Sequence, residues 1–475
     1  MKIFLINSDY LIYPFPPLGL SYLAAYVEKY LPEVDIEILD QVPEKKILKR
    51  IEKEHPDIIG FSSTSSHHWK VAKMARKVRK ICNSILVLGG IHITNYPKTF
   101  DNSPFDAGVL GEGEITFKIL IENIIKNRGI NIKELKVIRG FVLKDGKKII
   151  NTGLGERIQN LDDVPLPARH LLNMDYYTLP SFSNRTNFDS CGVIITSRGC
   201  PYRCNYCSSS KFWGHAIKFF SAKKVAAEIE LLYRKYGYRQ IQIYDDLFSA
   251  NKPRLKEIIR LLEEKGILGK IEFFVLGRGN CIDEESAQLL KKLNVTSIAF
   301  GVETGSKKML KYLKDSITLE DDINALNLCR KYGLSPNGSF MIGMPHETRE
   351  DMEATYQFIK KYLPNAFFIG MMWPFPNTPI WDYALENKMI EEDMYEKEGR
   401  RFLEFDENKS LTLHASKEDL KEYFYKIKSL LHLKRDTFLI ARKMSTLRLR
   451  HIFKMMNMTL IKKVYNLGIK KVKQG

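Results

Sequence analysis

Apolar and polar residues change places along this chain in short, regular blocks. Residues 2–6 (KIFLI) are a continuous apolar run, the pattern of a strand buried on both faces of a parallel sheet. Residues 18–30 repeat apolar side chains at helical spacing, and 34–40 (VDIEILD) read as a second strand. Strand patterns return at 56–64, 85–90 and 107–114, with a helix over 69–82. Such alternation, at intervals of roughly 25–30 residues, predicts an α/β fold opening with a doubly wound parallel sheet. Small residues gather at the predicted carboxyl ends of these strands: Ser62, Ser63, Thr64, Gly89, Gly90, Gly111 and Gly113. That edge holds the ligand in folds of this kind. Neither GxGxxG nor GxxxxGK[ST] occurs there, which argues against an ordinary dinucleotide or ATP site.

Residues 136–151 carry two short β-type runs around Asp145-Gly146, a hairpin signal, and a Pro-rich connector follows from Leu161 to Pro167. A second alternation then begins. Its strands are predicted at 192–197, 240–245, 271–277, 295–301, 339–343 and 366–373, separated by helices such as 223–236, 254–265 and 319–332. Six β/α units without a seventh and eighth predict an incomplete barrel, with its chemistry at the carboxyl ends of the strands. The expected division is 1–130, 131–185 (hairpin and connector), 186–390 (barrel) and 391–475 (helical, ending in a basic tail).

Composition changes this picture little: 44% of the 475 residues are apolar and 27% charged, an ordinary globular balance. No run approaches the ~18 apolar residues of a membrane-spanning helix, and the N-terminus reads as a first strand of a cytoplasmic domain, not a secretory signal. Charge is more informative. The net charge is +18, yet residues 434–475 alone hold 12 Lys or Arg against one acid, Asp436. Within that tail, 447–464 has the pattern of a basic amphipathic helix, suited to packing on the barrel or to peripheral contact with the inner face of an anionic membrane. Nucleic acid is disfavoured as a partner, because no recognition module is present.

Seven cysteines, unevenly spread, do not make a disulfide framework. Three of them, Cys200, Cys204 and Cys207, share one short loop directly after the strand pattern at 192–197. Thiolates this close wrap a single metal centre. A structural zinc would need a fourth ligand, for which Cys191 and His215 are the nearest residues. A [4Fe–4S] cluster held by three cysteines would leave one iron open for reaction.

CxxxCxxC with an aromatic residue before its last cysteine, placed after the first barrel strand, resembles the radical S-adenosylmethionine enzymes. The resemblance implies that Cys200, Cys204 and Cys207 ligate a [4Fe–4S] cluster and that Tyr206 lies beside the adenine of S-adenosylmethionine. It also implies an external electron donor such as flavodoxin or ferredoxin, and cleavage of S-adenosylmethionine to a 5′-deoxyadenosyl radical. Tyr244-Asp245-Asp246-Leu247-Phe248, Gly301-Val302-Glu303-Thr304-Gly305-Ser306 and Met341-Ile342-Gly343-Met344-Pro345-His346-Glu347-Thr348 resemble segments of the cobalamin-associated branch. Glu303, and after it Asp245, would accept hydrogen bonds from the nucleoside. Glu303 could instead be a turn residue before a helix capped by Thr304 or Ser306.

Residues 1–130 resemble the cobalamin-binding domain fused to many of these enzymes, through Pro16-Pro17-Leu18-Gly19-Leu20, Gly60-Phe61-Ser62-Ser63-Thr64, Leu88-Gly89-Gly90-Ile91-His92 and Gly111-Glu112-Gly113-Glu114. The whole also resembles the anaerobic magnesium-protoporphyrin ester cyclase group. Ser62, Ser63, Thr64, Gly89, Gly90 and Glu112 would then face cobalamin. None of the ten histidines follows the Asp-x-His pattern, so a bound cobalamin is not expected to take a histidine ligand. The implied activity is methylation of an unactivated carbon in a small-molecule or lipid substrate. Ring closure, carbon–carbon bond formation or oxidation by the same radical is the alternative, and a non-catalytic cobalamin sensor is the reading of another class. Met371, Met372, Trp373 and Phe375 could line an apolar substrate pocket, with core packing the expected use of at least two.

Overall fold

The computed structural model describes the chain except residues 8–14, 41–43, 102, 175–176, 178–190, 364–367, 398–404 and 431–475. The basic tail therefore lies outside the described residues, and the reading of membrane contact with it. Among the described residues, no helix is long and apolar enough to cross a membrane.

The first sheet contains β1 (Lys2–Ile6), β2 (Asp35–Leu39), β3 (Ile58–Ser62), β4 (Ile85–Gly89), β5 (Ala107–Val109), β6 (Phe141–Asp145) and β7 (Lys148–Asn151). Their order is β2-β1-β3-β4-β5-β6-β7. Pairing is parallel through β5 and antiparallel beyond it. Strand periodicity sorts the core: Ile3 and Leu5 pack under helices Leu18–Tyr30 and Gly113–Asn127, while Phe4 and Ile6 pack under Glu44–Glu54 and His68–Arg79. The winding reverses between β1 and β3, so the crevice beyond their carboxyl ends is the natural ligand site. Two details differ from the sequence reading. The run at 107–114 keeps strand geometry only to Val109, because Gly111 turns the chain at φ +81° and a helix starts at Gly113. The hairpin grouped with the connector extends the first sheet instead, β6 pairing with β5.

The second sheet is wholly parallel: β8 (Cys191–Ile194), β11 (Gln240–Ile243), β12 (Glu272–Gly277), β13 (Val295–Glu303), β14 (Ser335–Ile342) and β15 (Phe368–Met371), after the antiparallel pair β9 (Ser197–Arg198) and β10 (Lys218–Phe219). The order β15-β14-β13-β12-β11-β8 leaves β15 and β8 unpaired with each other, an open half-barrel. The run at 192–197 is split between β8 and β9. The Asp245 carboxylate accepts from the N–H groups of Thr196 and Ser197 at 2.6 and 3.0 Å, so these two bond to a side chain and not to a neighbouring strand.

One core cluster joins the two units: Leu18 and Tyr22 of the first helix, and Ile158, Leu161 and Val164 of the connector, pack with the barrel residues Val193, Phe220 and Val225. Buried ions reinforce the joint. Arg198, on β9, donates to Glu114 at 2.6 Å and to Glu112 at 3.2 Å, and these three side chains are only 6%, 7% and 2% exposed. Arg157 of the connector takes the other oxygen of Glu112 at 3.1 Å. Arg169 lies against Glu228 at 2.7 Å and donates to the Val193 carbonyl. Removing one partner strands buried charge, a loss of about 3–5 kcal/mol. Arg198→Met should therefore lower the unfolding midpoint by much more than Arg260→Met, whose ion pairs are exposed; equal midpoints in a denaturant titration would contradict the joint described here.

Candidate functional site

The three-cysteine loop leaves β9 and is braced on both sides. Gly199 sits at φ +102° with the Ala216 carbonyl so close that a Cβ would lie 2.2 Å from it, so no other residue fits. On one side Asp245, completely buried, fixes Thr196 and Ser197, and Arg254 donates to the Thr196 carbonyl at 2.7 Å. On the other, the N–H of Asn205 donates to the Leu313 carbonyl, and its side chain to that of Tyr312 at 2.6 Å. The Cys207 N–H closes a turn onto the Cys204 carbonyl at 3.1 Å.

Cys200, Cys204 and Cys207 are all free and half-buried. Burial, with the other thiols and Asp246 nearby, pushes Cys200 up to about 11 and Cys207 up to about 12. Coordination to a metal ionises such thiols outright. Among the described residues no three His, Cys, Asp or Glu side chains converge on a single-ion position. Cys191, one of the proposed fourth ligands, is buried at the amino end of β8, away from the loop. Three thiols on one short loop are a donor set that can hold a [4Fe–4S] cluster, whereas a structural zinc takes four protein ligands.

Tyr206 and Glu303 are brought together: the tyrosine hydroxyl donates to Glu303 Oε1 at 2.9 Å. Glu303 ends β13 at φ +71°, beside a register shift, and folds back over Gly301, where a Cβ would meet its carboxylate at 2.3 Å. A left-handed glutamate costs roughly 1–2 kcal/mol, and strain of this kind gathers at functional sites. Burial raises the Glu303 pKa, opposed by Lys314, Tyr206 and Arg278. Ser306 caps the next helix, accepting from Met309 N–H at 3.2 Å, as the turn reading of Glu303 expected, and the Glu303 carboxylate accepts from Tyr206. Asp245 has its oxygens taken up by Thr196 and Ser197, which makes it a brace of the loop and not a free acceptor.

Three groups here were not singled out as site residues in the sequence. Arg278, just after β12, donates to Cys204 Sγ at 3.3 Å. Asp322 is buried with neither carboxylate oxygen hydrogen-bonded, near Lys314, Arg278 and Glu303, and burial raises it to about 7. Glu347, after β14, accepts from Gly343 and Met344 N–H at 2.6 and 3.1 Å. The signal for Arg278 was its place at the end of the third barrel strand pattern. Below Tyr206 lies an apolar floor of Met309, Met344, Met372 and Ile380, while Trp373 and Phe375 pack with Trp381 and Tyr395. These latter residues are core first, as expected for at least two of the four.

On the facing domain, Ser62, Ser63, Thr64, Gly89 and Gly90 meet at the ends of β3 and β4. Gly90 is at φ +96°, and a Cβ on it would lie 2.8 Å from Ser62 Oγ and the Ser63 carbonyl. A Cβ would meet nothing nearer than 3.9 Å at Gly89 and 3.7 Å at Gly111, so these two bare backbones leave space at the strand ends that side chains would fill. This suits a large flat ligand such as cobalamin. Ser63 is turned inward to His68 Nδ1 at 3.2 Å, and Thr64 faces outward. Glu112 belongs to the buried joint with Arg198 and Arg157, not to the space at the strand ends. His68 and His92 stack with centroids 4.1 Å apart, and burial pushes His68 down to about 4, so both rings stay neutral. A narrow crevice lies between Ser65, Ser66 and Trp69 on this side and Trp373, Met394 and Tyr395 on the other.

Glu347 gives the site a measurable pH dependence. Burial pushes its carboxyl up to about 8, against the two N–H donors that favour ionisation. The folded chain then binds this proton more tightly than the unfolded one, so stability falls as pH rises from about 4.5 towards about 8. Glu347→Gln keeps an oxygen for Gly343 and Met344 but cannot ionise. Its melting temperature relative to the wild type should climb between about pH 5 and about pH 9; a flat difference would contradict the assignment.

Residues 194–359 match the radical SAM superfamily, and residues 9–121 match the B12 binding domain. The uncharacterized methyltransferase PH0819 of Pyrococcus horikoshii is 36% identical over 384 residues, 79% of this chain and 80% of that protein. The cytidylyl-2-hydroxyethylphosphonate methyltransferase of Streptomyces wedmorensis is 28% identical over 404 residues, 73% of each. In fold the chain is similar to the radical S-adenosylmethionine methyltransferase TsrM of Kitasatospora setae with cobalamin and a [4Fe–4S] cluster bound (TM-score 0.67, 19% identity, 89% of this chain and 81% of that one). With both domains present and a relative matched over most of its length, the chain belongs to the cobalamin-dependent radical S-adenosylmethionine methyltransferase family, whose cofactors are a [4Fe–4S] cluster, S-adenosylmethionine and cobalamin.

Proposed function

We propose that this enzyme methylates an unactivated carbon of a small-molecule substrate in the space between the two sheet edges. When bound, the cofactors supply a 5′-deoxyadenosyl radical and a carried methyl group; the chain binds, orients and shields them. Cys200, Cys204 and Cys207 hold the cluster. Tyr206 and Glu303 form the nucleoside side of the pocket, and Asp245 acts behind the loop as its positioning residue. Ser62, Gly89, Gly90 and Thr64 receive cobalamin. An external one-electron donor of the flavodoxin or ferredoxin class reduces the cluster. A lipid substrate, with the basic tail at an anionic surface, is the finer form of the same reading.

The observation that carries it is the buried Arg198, two residues before Cys200, held by Glu112 and Glu114 at the start of the helix after β5. The cluster loop and the cobalamin edge are thereby parts of one joint, as a reaction using both cofactors on one substrate needs.

The test is anaerobic reconstitution of the full chain with iron, sulfide and cobalamin, then reduction with S-adenosylmethionine and a cell extract. We expect 5′-deoxyadenosine, S-adenosylhomocysteine and an extract component heavier by one CH2. Replacing Cys200, Cys204 and Cys207 together by alanine should abolish 5′-deoxyadenosine. Product without S-adenosylhomocysteine would replace methylation by ring closure, bond formation or oxidation. No 5′-deoxyadenosine from the wild type would favour a cobalamin sensor.

A further inference from the structure

Arg278 is the cation whose side chain reaches a cysteine of the loop from another strand end. Its guanidinium is 6% exposed and every nitrogen is directed. Nη1 donates to Cys204 Sγ at 3.3 Å, Nε donates to Asn280 Oδ1 at 3.0 Å, and Nη2 donates to the Asp315 carbonyl. The plane lies over the Tyr202 ring, 3.7 Å from its centroid. The nearest acid on its own flank, Asp315, is 3.9 Å away with a side chain 44% exposed, so water screens that pair. Glu303 and Asp322, the buried acids within electrostatic range, both have ionisation disfavoured by burial. Directed hydrogen bonds and stacking thus hold a positive charge against one sulfur of the loop.

Iron–sulfur potentials depend on net charge, exposure and hydrogen bonds to the sulfurs. Adding one electron makes the ligand sulfurs more negative, which strengthens a charge-assisted N–H···S bond and its Coulomb attraction. We propose that Arg278 sets the reduction potential of the cluster, favouring its one-electron reduced form through Cys204, with Tyr202 and Asn280 holding the guanidinium in place. This rests on the reading that Cys204 is a cluster ligand. A lysine could supply the charge but neither the stacking nor the three directed donors.

The experiment uses the full chain, reconstituted anaerobically with iron and sulfide and without S-adenosylmethionine. It is equilibrated with dithionite and low-potential mediators poised at the wild-type midpoint, and the reduced fraction is read by paramagnetic resonance. For Arg278→Gln we expect the reduced-to-oxidised ratio to fall about tenfold, equivalent to about 59 mV for a one-electron couple. Arg278→Lys and Asn280→Ala should move it the same way by less. An unchanged ratio in Arg278→Gln at wild-type iron content overturns the proposal, including when affinity for S-adenosylmethionine falls, which would give Arg278 to that ligand instead. Where Arg278→Gln takes up less iron, the other two variants decide, and wild-type ratios in both overturn it. Wild-type protein that takes up no iron refutes the cluster reading itself, a separate outcome.

Discussion

A single arginine buried between two glutamates fixes how the two halves of this enzyme meet. Arg198 ends β9, from which the barrel's three-cysteine loop leaves, and Glu112 and Glu114 stand at the start of the helix after β5 of the cobalamin domain. Their desolvation is tolerable only because all three are present and hydrogen-bonded, so each half completes the other's electrostatics. The joint is thereby specific in a way that the apolar packing around Tyr22 and Phe220 is not. It puts two carboxyl-terminal sheet edges, each the usual ligand side of its fold, opposite one another.

Carboxylates engaged by backbone N–H groups recur in the site. Asp245 gives its oxygens to Thr196 and Ser197, and Glu347 receives two backbone N–H groups; these shape loops before any ligand arrives. Glu303 differs, accepting from the Tyr206 hydroxyl and held in a strained conformation at the carboxyl end of β13.

Much of this was legible in the sequence because periodicity and punctuation are local. The strands of both sheets follow from apolar runs such as KIFLI and alternations such as QIQI, and the loop from the spacing of Cys200, Cys204 and Cys207. A carboxylate at a strand end, by contrast, tells where it can reach but not which donors compete for it. Glu112 and Asp245 therefore read as ligand residues although arginines and backbone N–H groups from distant segments engage them. Arg278 and Asp322 gain their meaning in the same way, from Cys204, Lys314 and Glu303, which only the folded sheet brings near; a place at a strand end was the one signal for Arg278. The hairpin around Asp145-Gly146 was recognisable, but not that β6 would pair with β5.

The central claim is that both cofactors face one shared space, and magnetic coupling tests it most directly. Protein loaded with cobalt(II) cobalamin and the reduced cluster should give a paramagnetic resonance spectrum broadened or split beyond the sum of the two singly loaded forms. A spectrum equal to that sum would place the cofactors too far apart to serve one substrate, and would contradict the account.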